Sequence, residues 1–338
     1  MWQVVGQERA VSFLQRSLEK GNLAHAYIFT GPPHVGKMTL ALNLAQALNC
    51  QENASPCGLC NSCQKIAQGK HADVQTIGLL STPEADETKA RAEISIDQIR
   101  QLQHSASLPP FEGQYRAFII DGAESLSIEA ANCLLKTLEE PVGRVVFILL
   151  TTSTSLLPET VVSRCQRLEL HPLSSGEVEN ALVTGSGVGP EKAKLLARLS
   201  RGCFGWAVSA ALSEDLLKQY YEIRDKLVDI INADYEGRFN YAAQLANQFS
   251  QRRGSVKEVL DLWLDLWRDL LLGKAGFGEA ITNINLEDTL VELACDFSLT
   301  EVRDFIGSIN QAQQQLRQNA SPRLVLEVLM LDMPRRKK

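Results

Sequence analysis

A glycine-rich loop with a single lysine, residues 31–38, is the first segment whose residue types could do chemistry. Its sequence, GPPHVGKM, matches the phosphate-binding pattern G-x-x-x-x-G-K-[ST] except at Met38, which replaces the hydroxyl residue that binds magnesium. A thioether is too soft a ligand for Mg²⁺, and Thr39 lies about 100° further round the expected helix. The pattern predicts a loop that can bind ATP or ADP phosphates but holds Mg²⁺ poorly, formed by Gly31, Pro32, Pro33, His34, Val35, Gly36, Lys37, Met38 and Thr39. A chance glycine-rich turn is the alternative.

The second candidate lies at the end of a predicted strand, in FIIDGAE (118–124). Phosphate-loop enzymes carry an aspartate here for the magnesium sphere, followed by a glutamate that activates the attacking water. This chain has Asp121 followed by Gly122, and we expect Glu124 to serve the start of a local helix rather than to replace the missing carboxylate. Met38 and Gly122 together predict a site that does not hydrolyse nucleotide.

Four of the eight cysteines lie within one short segment, CQENASPCGLCNSC. In a reducing compartment such clusters indicate metal rather than disulfides, and C-x2-C-x2-C with a fourth cysteine upstream can close a tetrahedral thiolate shell. Four thiolates leave no open position for catalysis, so we predict a structural zinc site with ligands Cys50, Cys57, Cys60 and Cys63. An iron–sulfur cluster and unligated thiols are the alternatives.

Composition limits the class of protein. A chain of 338 residues with 45% hydrophobic and 22% charged residues is typical of a globular protein with more than one domain. No apolar run approaches the ~18 residues of a membrane helix, and the N-terminus lacks signal-peptide features, so we expect a cytoplasmic location without membrane contact. A net charge of -6 argues against a protein that wraps nucleic acid over its whole surface. The C-terminal PRRKK is expected to be a solvated, frayed tail.

Hydrophobic patterning predicts an α/β core, a mostly parallel sheet covered by helices on both faces. The expected strands are AYIFT (26–30), HADVQTI (71–77), QYRAFIID (114–121) and VVFILLTT (145–152). The segment ISIDQIRQLQHSA (94–106) is predicted to be a strand end that passes into a helix, and the polar stretch 79–93 a mobile surface loop.

From about residue 174 only helical periodicity remains, so an all-α region is expected to follow the core. Two short helices around a glycine-containing turn (189–212) predict a small helical lid. An apolar stripe at three-and-four spacing between 256 and 270 predicts core packing in a long helix. The expected domains are 1–173, 174–213 and 214–338.

Three motifs give the sequence a specific resemblance to a known family. TLEEP (137–141), VVSRCQ (161–166) and VVGQERA (4–10) resemble the clamp-loader branch of the AAA+ ATPases. By motif the resemblance covers about residues 1–212, and it covers the helical remainder more weakly. It implies an AAA+ P-loop core that carries the cysteine cluster as a zinc module, a helical lid and a C-terminal helical collar domain for oligomerisation.

The same resemblance implies roles around the nucleotide. Gly6 and Gln7 would lie near the adenine, and Thr151 and Thr152 fall near the polar sensor position, where a structural role is the alternative. Trp206 stands where the phosphate-sensing arginine of the lid is expected. It is a third departure from a hydrolysing site.

Arg164, between Ser163 and Cys165, resembles the family's arginine finger. Such a finger enters the ATP site of the neighbouring subunit and stabilises developing phosphate charge there. Its catalytic effect would therefore be exerted in trans. Without the resemblance, Arg164 reads as a surface arginine after a strand turn.

The departures make the chain resemble an ATPase-deficient subunit of the bacterial DNA polymerase III loader rather than a motor subunit, called gamma or tau. Its length favours the same reading, since tau-like chains usually continue with extra domains. The resemblance then implies a hetero-pentamer with motor and delta subunits that loads the sliding clamp onto primed DNA. The alternatives are an ATP-hydrolysing gamma/tau-type motor subunit and a zinc-dependent DNA-binding module.

Overall fold

The computed structural model describes residues 2–52, 56–79, 93–140, 143–251, 253–277, 281–282, 296–318 and 320–336. Within these ranges the chain forms two compact units, one with the residues up to Val208 and one with the residues from Ser209 onward. The stretch predicted to be a surface loop, 79–93, lies almost entirely outside the described residues. In the described ranges, no helix is both long and apolar enough to cross a membrane.

The first unit is built on a parallel sheet of five strands. In space they are ordered β2-β3-β4-β1-β5, and in the chain they are β1 (Ala26–Thr30), β2 (Val74–Ile77), β3 (Arg116–Asp121), β4 (Val145–Thr151) and β5 (Gln166–Glu169). Every neighbouring pair is parallel, which confirms the prediction. All strands therefore end at one side of the sheet, here called the carboxyl edge, and begin at the opposite side, the amino edge.

Helices cover both faces of this sheet, as predicted. Residues of β4 alternate between two cores, with Phe147 and Leu149 in one and Val146 and Ile148 in the other. Because the strands are buried on both sides, they read as continuous apolar runs. The helices of this region are α1 (Glu8–Glu19), α2 (Lys37–Asn49), α3 (Asn61–Ala67), α4 (Ile96–Ala106), α5 (Ile128–Glu139) and α6 (Glu159–Val162).

Several predicted strands are shorter than expected, and β3 begins at Arg116 rather than at residue 114 while β4 ends at Thr151 rather than at residue 152. β2 begins at Val74 rather than at residue 71, because the His71 ring is held in a turn by contacts to the Ser62 hydroxyl (3.1 Å) and the Asp73 N–H (3.2 Å). Ile94 forms only an isolated bridge to Leu126, since the capping box of Ser95 already starts α4.

The buried carboxylate of Asp73 fixes the segment that leads into β3. It accepts the backbone N–H groups of Phe111 (2.7 Å), Glu112 (2.8 Å) and Gly113 (2.7 Å). The Arg116 guanidinium lies 3.5 Å from the same carboxylate. Asp73 thereby sets where β3 begins, and hence where Asp121 emerges at the carboxyl edge.

Replacing Asp73 with Asn should lower the free energy of unfolding by about 2–3 kcal/mol, because an amide cannot supply the charge-assisted acceptors that three N–H groups use. Urea denaturation at pH 7 measures the loss. Asp97→Asn is the control, since the Asp97 side chain is 77% exposed and should change stability by less than about 0.5 kcal/mol.

The loss should depend on pH. Burial alone raises the pKa of the Asp73 carboxyl, but the three N–H groups and Arg116 outweigh it and lower that pKa. A carboxyl with a lowered pKa stabilises the fold above its unfolded value of about 4 and loses this effect as pH falls through its folded value. The difference between wild type and Asp73→Asn should be full at pH 7 and shrink below about pH 4. A difference that grows on acidification would contradict this role.

Three helices follow β5, namely α7 (Ser175–Ser186), α8 (Pro190–Leu199) and α9 (Phe204–Leu212). A capping box between Ser174 and Glu177 starts α7. The turn between α8 and α9 contains Gly202, whose carbonyl accepts the Leu173 N–H (3.0 Å). The two short helices around a glycine-containing turn are as predicted.

The second unit is helical throughout its described residues. Its helices are α10 (Glu214–Asn232), α11 (Tyr235–Gln251), α12 (Arg253–Lys274), α13 (Leu299–Arg317) and α14 (Pro322–Asp332). The predicted apolar stripe of α12 is buried, and Trp267 packs edge-on against Phe305 with ring centroids 4.6 Å apart. This stripe forms the core of the unit.

Of the predicted solvated, frayed tail PRRKK, residues 334–336 are described and Lys337 and Lys338 lie outside the described residues; Arg335 and Arg336 are exposed, as predicted, but residues 334–336 make contacts that hold them. The buried Arg238 guanidinium donates to the carbonyls of Met333 (2.7 Å) and Pro334 (3.1 Å). Arg335 stacks on the Tyr235 ring (3.4 Å to the centroid), and Arg336 pairs with Asp296. The start of this segment is held because carbonyls after a helix end need donors, and here a distant arginine supplies them.

Candidate functional site

The phosphate loop, residues 31–38, joins β1 to α2 at the carboxyl edge, as predicted. Gly36 precedes the first residue of α2 with φ 107°, a conformation that residues with a Cβ rarely adopt. Lys37 begins α2, and its ammonium donates to the carbonyls of Gly31 (2.6 Å) and Pro32 (2.7 Å). The lysine thus lies across the loop at the positive end of a helix, an arrangement that favours phosphate.

Met38 and Thr39 are the next residues of α2, and both are half-buried. The Met38 side chain packs against the apolar core between the sheet and α2. Met38 is a poor ligand for Mg²⁺ by its chemistry, and its side chain also contributes to core packing. Both features support the prediction that the loop binds Mg²⁺ weakly.

Asp121 ends β3 at the carboxyl edge, near the phosphate loop. The Asp121 side chain is exposed, yet desolvation by the protein atoms around its carboxyl raises the pKa of that group; Lys37 opposes the rise, and Glu124 adds to it. Lys37 and Glu124 therefore each lie within electrostatic range of Asp121. The predicted acidic position and the phosphate-loop lysine belong to one site.

Glu124 does more than the sequence led us to expect. It lies in a short 3-10 turn, yet its carboxylate accepts the Thr152 hydroxyl (3.1 Å) beyond the end of β4. Thr151, by contrast, is buried and its hydroxyl donates to the Ser153 carbonyl (3.0 Å), which closes a local turn. Of the two threonines considered for the sensor position, Thr152 faces the acidic group. The only signal for Glu124 in the sequence is its position three residues after a strand-end aspartate.

Gln7 is buried, and both ends of its side-chain amide bind backbone. Its Nε2 donates to the His171 carbonyl (2.7 Å), and its Oε1 accepts the His171 N–H (3.2 Å). Gly6 packs against the Leu173 side chain. These contacts fix the segment after β5 beside the phosphate loop, and the predicted adenine contact of Gly6 and Gln7 stays a prediction.

Helix α9 touches the phosphate loop directly. The Gly205 N–H donates to the His34 carbonyl (2.9 Å), and a Cβ added at Gly205 would lie 2.8 Å from that oxygen. Only glycine permits this approach. The next residue, half-buried Trp206, brings no positive charge to the loop where the resemblance leads one to expect an arginine.

A cleft of about 500 Å³ opens beside the loop at the carboxyl ends of β1, β4 and β5. This size lies in the range that small-molecule sites occupy. Its lining is largely polar and comprises Thr30, Gly31, Pro32, Thr152, Ser153, Thr154, Arg167, Glu169, Leu170, His171 and Pro172.

The cysteine cluster forms a compact set of four sulfurs. All four Sγ atoms lie within 4.8 Å of one another, and those of Cys57 and Cys63 are 3.9 Å apart. Tetrahedral thiolates with ~2.3 Å zinc bonds stand roughly 3.8 Å apart, so Cys50, Cys57, Cys60 and Cys63 fit such an ion. The predicted ligands therefore come together in a set that could hold a metal.

Backbone donors support the charge of these sulfurs. The N–H groups of Cys60 (3.3 Å) and Leu59 (3.4 Å) bind the Cys57 sulfur and lower the pKa of its thiol to about 6. Burial raises the pKa of the Cys63 thiol to about 12, a cost that a bound cation would reverse. Gln46 of α2 donates to the Cys63 carbonyl (2.9 Å), which fixes the cluster to the core.

Arg164 lies at the opposite edge of the sheet from the phosphate loop. β1 and β5 run parallel with Tyr27 beside Gln166, so the residues just before β5 lie at the amino edge. The length of β1, roughly 15 Å, separates this edge from the loop. The structure thus does not bring Arg164 to the phosphate loop of its own chain.

The neighbours of Arg164 in its motif differ in environment. Ser163 is exposed, and its hydroxyl donates to the Thr160 carbonyl (3.1 Å). Cys165 packs against the core, and burial raises the pKa of its thiol to about 12. A neutral, buried thiol is inert, so Cys165 anchors the motif and leaves Arg164 as its chemical group.

The strand order, the phosphate loop between β1 and α2 and the aspartate that ends β3 define a P-loop core of the AAA+ type. The sequence model of one family, described as "DNA polymerase III, delta subunit", matches residues 6–174, which is half of the chain. The chain belongs to this family.

Individual relatives agree with this assignment. The chain is 28% identical to the DNA polymerase III subunit delta' of Bacillus subtilis, over 96% of this chain and 95% of that protein. It is also 28% identical to the tau subunit of the same organism, over 97% of this chain but 60% of tau. For Escherichia coli tau the identity is 35%, over 61% of this chain and 31% of tau. The chain thus spans well under two thirds of the tau proteins.

A solved structure of a gamma subunit-related protein from Thermotoga maritima matches with TM-score 0.49 and 19% identity, over 95% of this chain and 97% of that one.

Proposed function

We propose that this chain is the delta prime-type subunit of a bacterial DNA polymerase III clamp loader, deficient in ATP hydrolysis itself. The match of residues 6–174 to the family described as "DNA polymerase III, delta subunit" supports this reading. Met38, Gly122 and Trp206 replace groups that a hydrolysing site needs, and Met38 is committed to core packing.

One observation carries the proposal: an intact, solvent-accessible arginine motif lies at the amino edge, opposite an eroded phosphate loop at the carboxyl edge. An arginine some 15 Å from its own loop cannot reach phosphates bound there, so any nucleotide phosphate that it contacts would belong to an adjacent subunit. Arg164 would then stabilise phosphate charge in a neighbouring motor subunit.

The partners follow from this assignment. The chain would join gamma/tau motor subunits and a delta subunit in a hetero-pentamer in the cytoplasm, which opens the sliding clamp and closes it around primed DNA. The proposed domains are a core (1–173), a lid (174–213) and a helical collar (214–338). The collar would join the subunits. The phosphate loop would be a binding site in its own right, for ATP or ADP held through Lys37.

We infer that the cysteine cluster holds a structural Zn²⁺. Four thiolate ligands, the 3.9 Å separation of two sulfurs and the N–H groups aimed at Cys57 support this ion. The cluster begins directly after α2, so zinc would stabilise the segment that follows this helix.

One observation favours the alternative function, a gamma/tau-type motor subunit that hydrolyses ATP. Glu124 brings a second carboxylate to the carboxyl edge, beside Asp121 and bonded to Thr152. If that carboxylate can orient water, the loss at Gly122 would be compensated.

The purified chain, assayed alone with ATP and Mg²⁺, should show no turnover above that of Lys37→Ala, because Met38 and Gly122 remove the magnesium hydroxyl and the water-activating carboxylate. Phosphate release measures hydrolysis, and titration with a fluorescent nucleotide measures binding separately. Lysine-dependent turnover that is lost in Glu124→Gln but kept in the exposed control Glu129→Gln would establish the motor reading instead.

A further inference from the structure

The guanidinium of Arg164 is already engaged within its own chain. Its NH2 nitrogen forms an ion pair with the Glu139 carboxylate (2.6 Å), and its NH1 nitrogen donates to the Thr160 carbonyl (2.8 Å). The two side chains are 35% and 50% exposed. The arginine is therefore held at the surface, with a carboxylate where a phosphate oxygen would bind.

Both partners of this pair are anchored in one core. Glu139 is the last residue of α5, whose Leu138 is buried in the same cluster as Val161 and Val162 of α6. The backbones of the two residues are thus fixed relative to each other. Only the side chains need to move for the pair to separate.

The two contacts of Arg164 differ in what they would do when a phosphate arrives. The Thr160 carbonyl is neutral and belongs to the same turn, so it can keep orienting NH1 while the arginine binds an anion. The Glu139 carboxylate neutralises the charge of the guanidinium and occupies NH2. A phosphate carries more negative charge than a carboxylate and offers the oxygen geometry that a guanidinium grips with two N–H groups.

We propose that Glu139 holds Arg164 in the unassembled chain and competes for it with the terminal phosphate of nucleotide on the neighbouring subunit. This inference rests on the proposed finger role of Arg164. The pair is exposed, so it is weak and separates readily. Its effect is to lower the affinity for the nucleotide-loaded neighbour, since the terminal phosphate must first displace Glu139 from Arg164.

The test is association of the full chain with a gamma/tau-type motor subunit, loaded either with a non-hydrolysable ATP analogue or with ADP. Glu139→Gln should strengthen binding to the analogue-loaded motor about two- to fivefold, the range expected for an exposed ion pair, and leave binding to the ADP-loaded motor unchanged. Glu140→Gln is the matched control, because it removes the same charge from the adjacent exposed residue. Glu139→Ala should shift binding in the same direction.

A further set of variants distinguishes a failure of this inference from a failure of the proposed function. In an Arg164→Ala background, Glu139→Gln should have no effect, since the group it restrains is gone. If Arg164→Ala abolishes the preference for the analogue but Glu139→Gln matches Glu140→Gln or weakens binding, the competition is wrong and the finger role stands. If Arg164→Ala keeps the full preference, the finger role fails, and this inference fails with it.

Discussion

Replacing Arg164 with Ala should lower ATP turnover at the motor site that receives it by about 1000-fold, the lower end of what an arginine finger contributes. The loader should still assemble, because the side chain is partly exposed and its removal disturbs no core. The physical reason is charge, since a guanidinium stabilises the negative charge that develops on the transferred phosphoryl group. Phosphate release by the reconstituted loader should therefore fall by the fraction of total ATP turnover that this one motor site contributes.

Two variants make this result specific. Arg164→Lys should restore little of the rate, because an ammonium keeps the charge but loses the planar fork of donors. Arg144→Ala removes an exposed arginine just before β4, at the same edge of the sheet, and should leave turnover unchanged. A loader that assembles with Arg164→Ala and hydrolyses ATP at the full rate would remove the finger role.

Removing zinc should have the largest effect on stability. Structural zinc sites bind with about 10 kcal/mol or more at pH 7, and the fold around the cysteine cluster would lose that contribution. Elemental analysis of protein purified without added metal should give one zinc per chain. Chelation or Cys57→Ser should lower the melting temperature, and zinc should restore the chelated protein but not the variant.

The matched control is Cys133→Ser, since this cysteine lies on α5 outside the cluster and its sulfur donates to Gln103 (3.1 Å), a contact that a hydroxyl can keep. Zinc release should accompany acidification, because protons compete for the thiolates. A visible spectrum typical of iron, or a melt insensitive to chelation, would contradict a structural zinc.

Local sequence patterns predicted most of the fold. The apolar runs of β1 and β4 indicated strands buried on both faces, and the structure has them in a parallel sheet. The stripe of α12 indicated one buried helix face, and Trp263 and Trp267 lie in the core. These predictions succeeded because a continuous apolar run or a repeat of 3.6 residues is a property of a few consecutive residues.

Contacts between distant residues were not predictable in this way. The contact that holds the start of the C-terminal tail was not foreseen, because Arg238, the donor to the Pro334 carbonyl, lies 96 residues earlier in the chain. Glu124 meets Thr152 across 28 residues, and Gln7 meets His171 across 164. No spacing rule connects such positions, since their approach depends on how the elements pack.

The sequence by itself determined the chemical groups of this protein: the phosphate loop with Met38 in place of a hydroxyl, the four clustered thiols and the arginine motif. Each is a short segment whose residues stay neighbours in any fold. Only the tertiary structure decided how these groups are arranged, with Glu124 beside Asp121 at one edge of the sheet and Arg164 paired with Glu139 at the other. The physical reason is that parallel strands bring all their carboxyl ends to one side and all their amino ends to the opposite side.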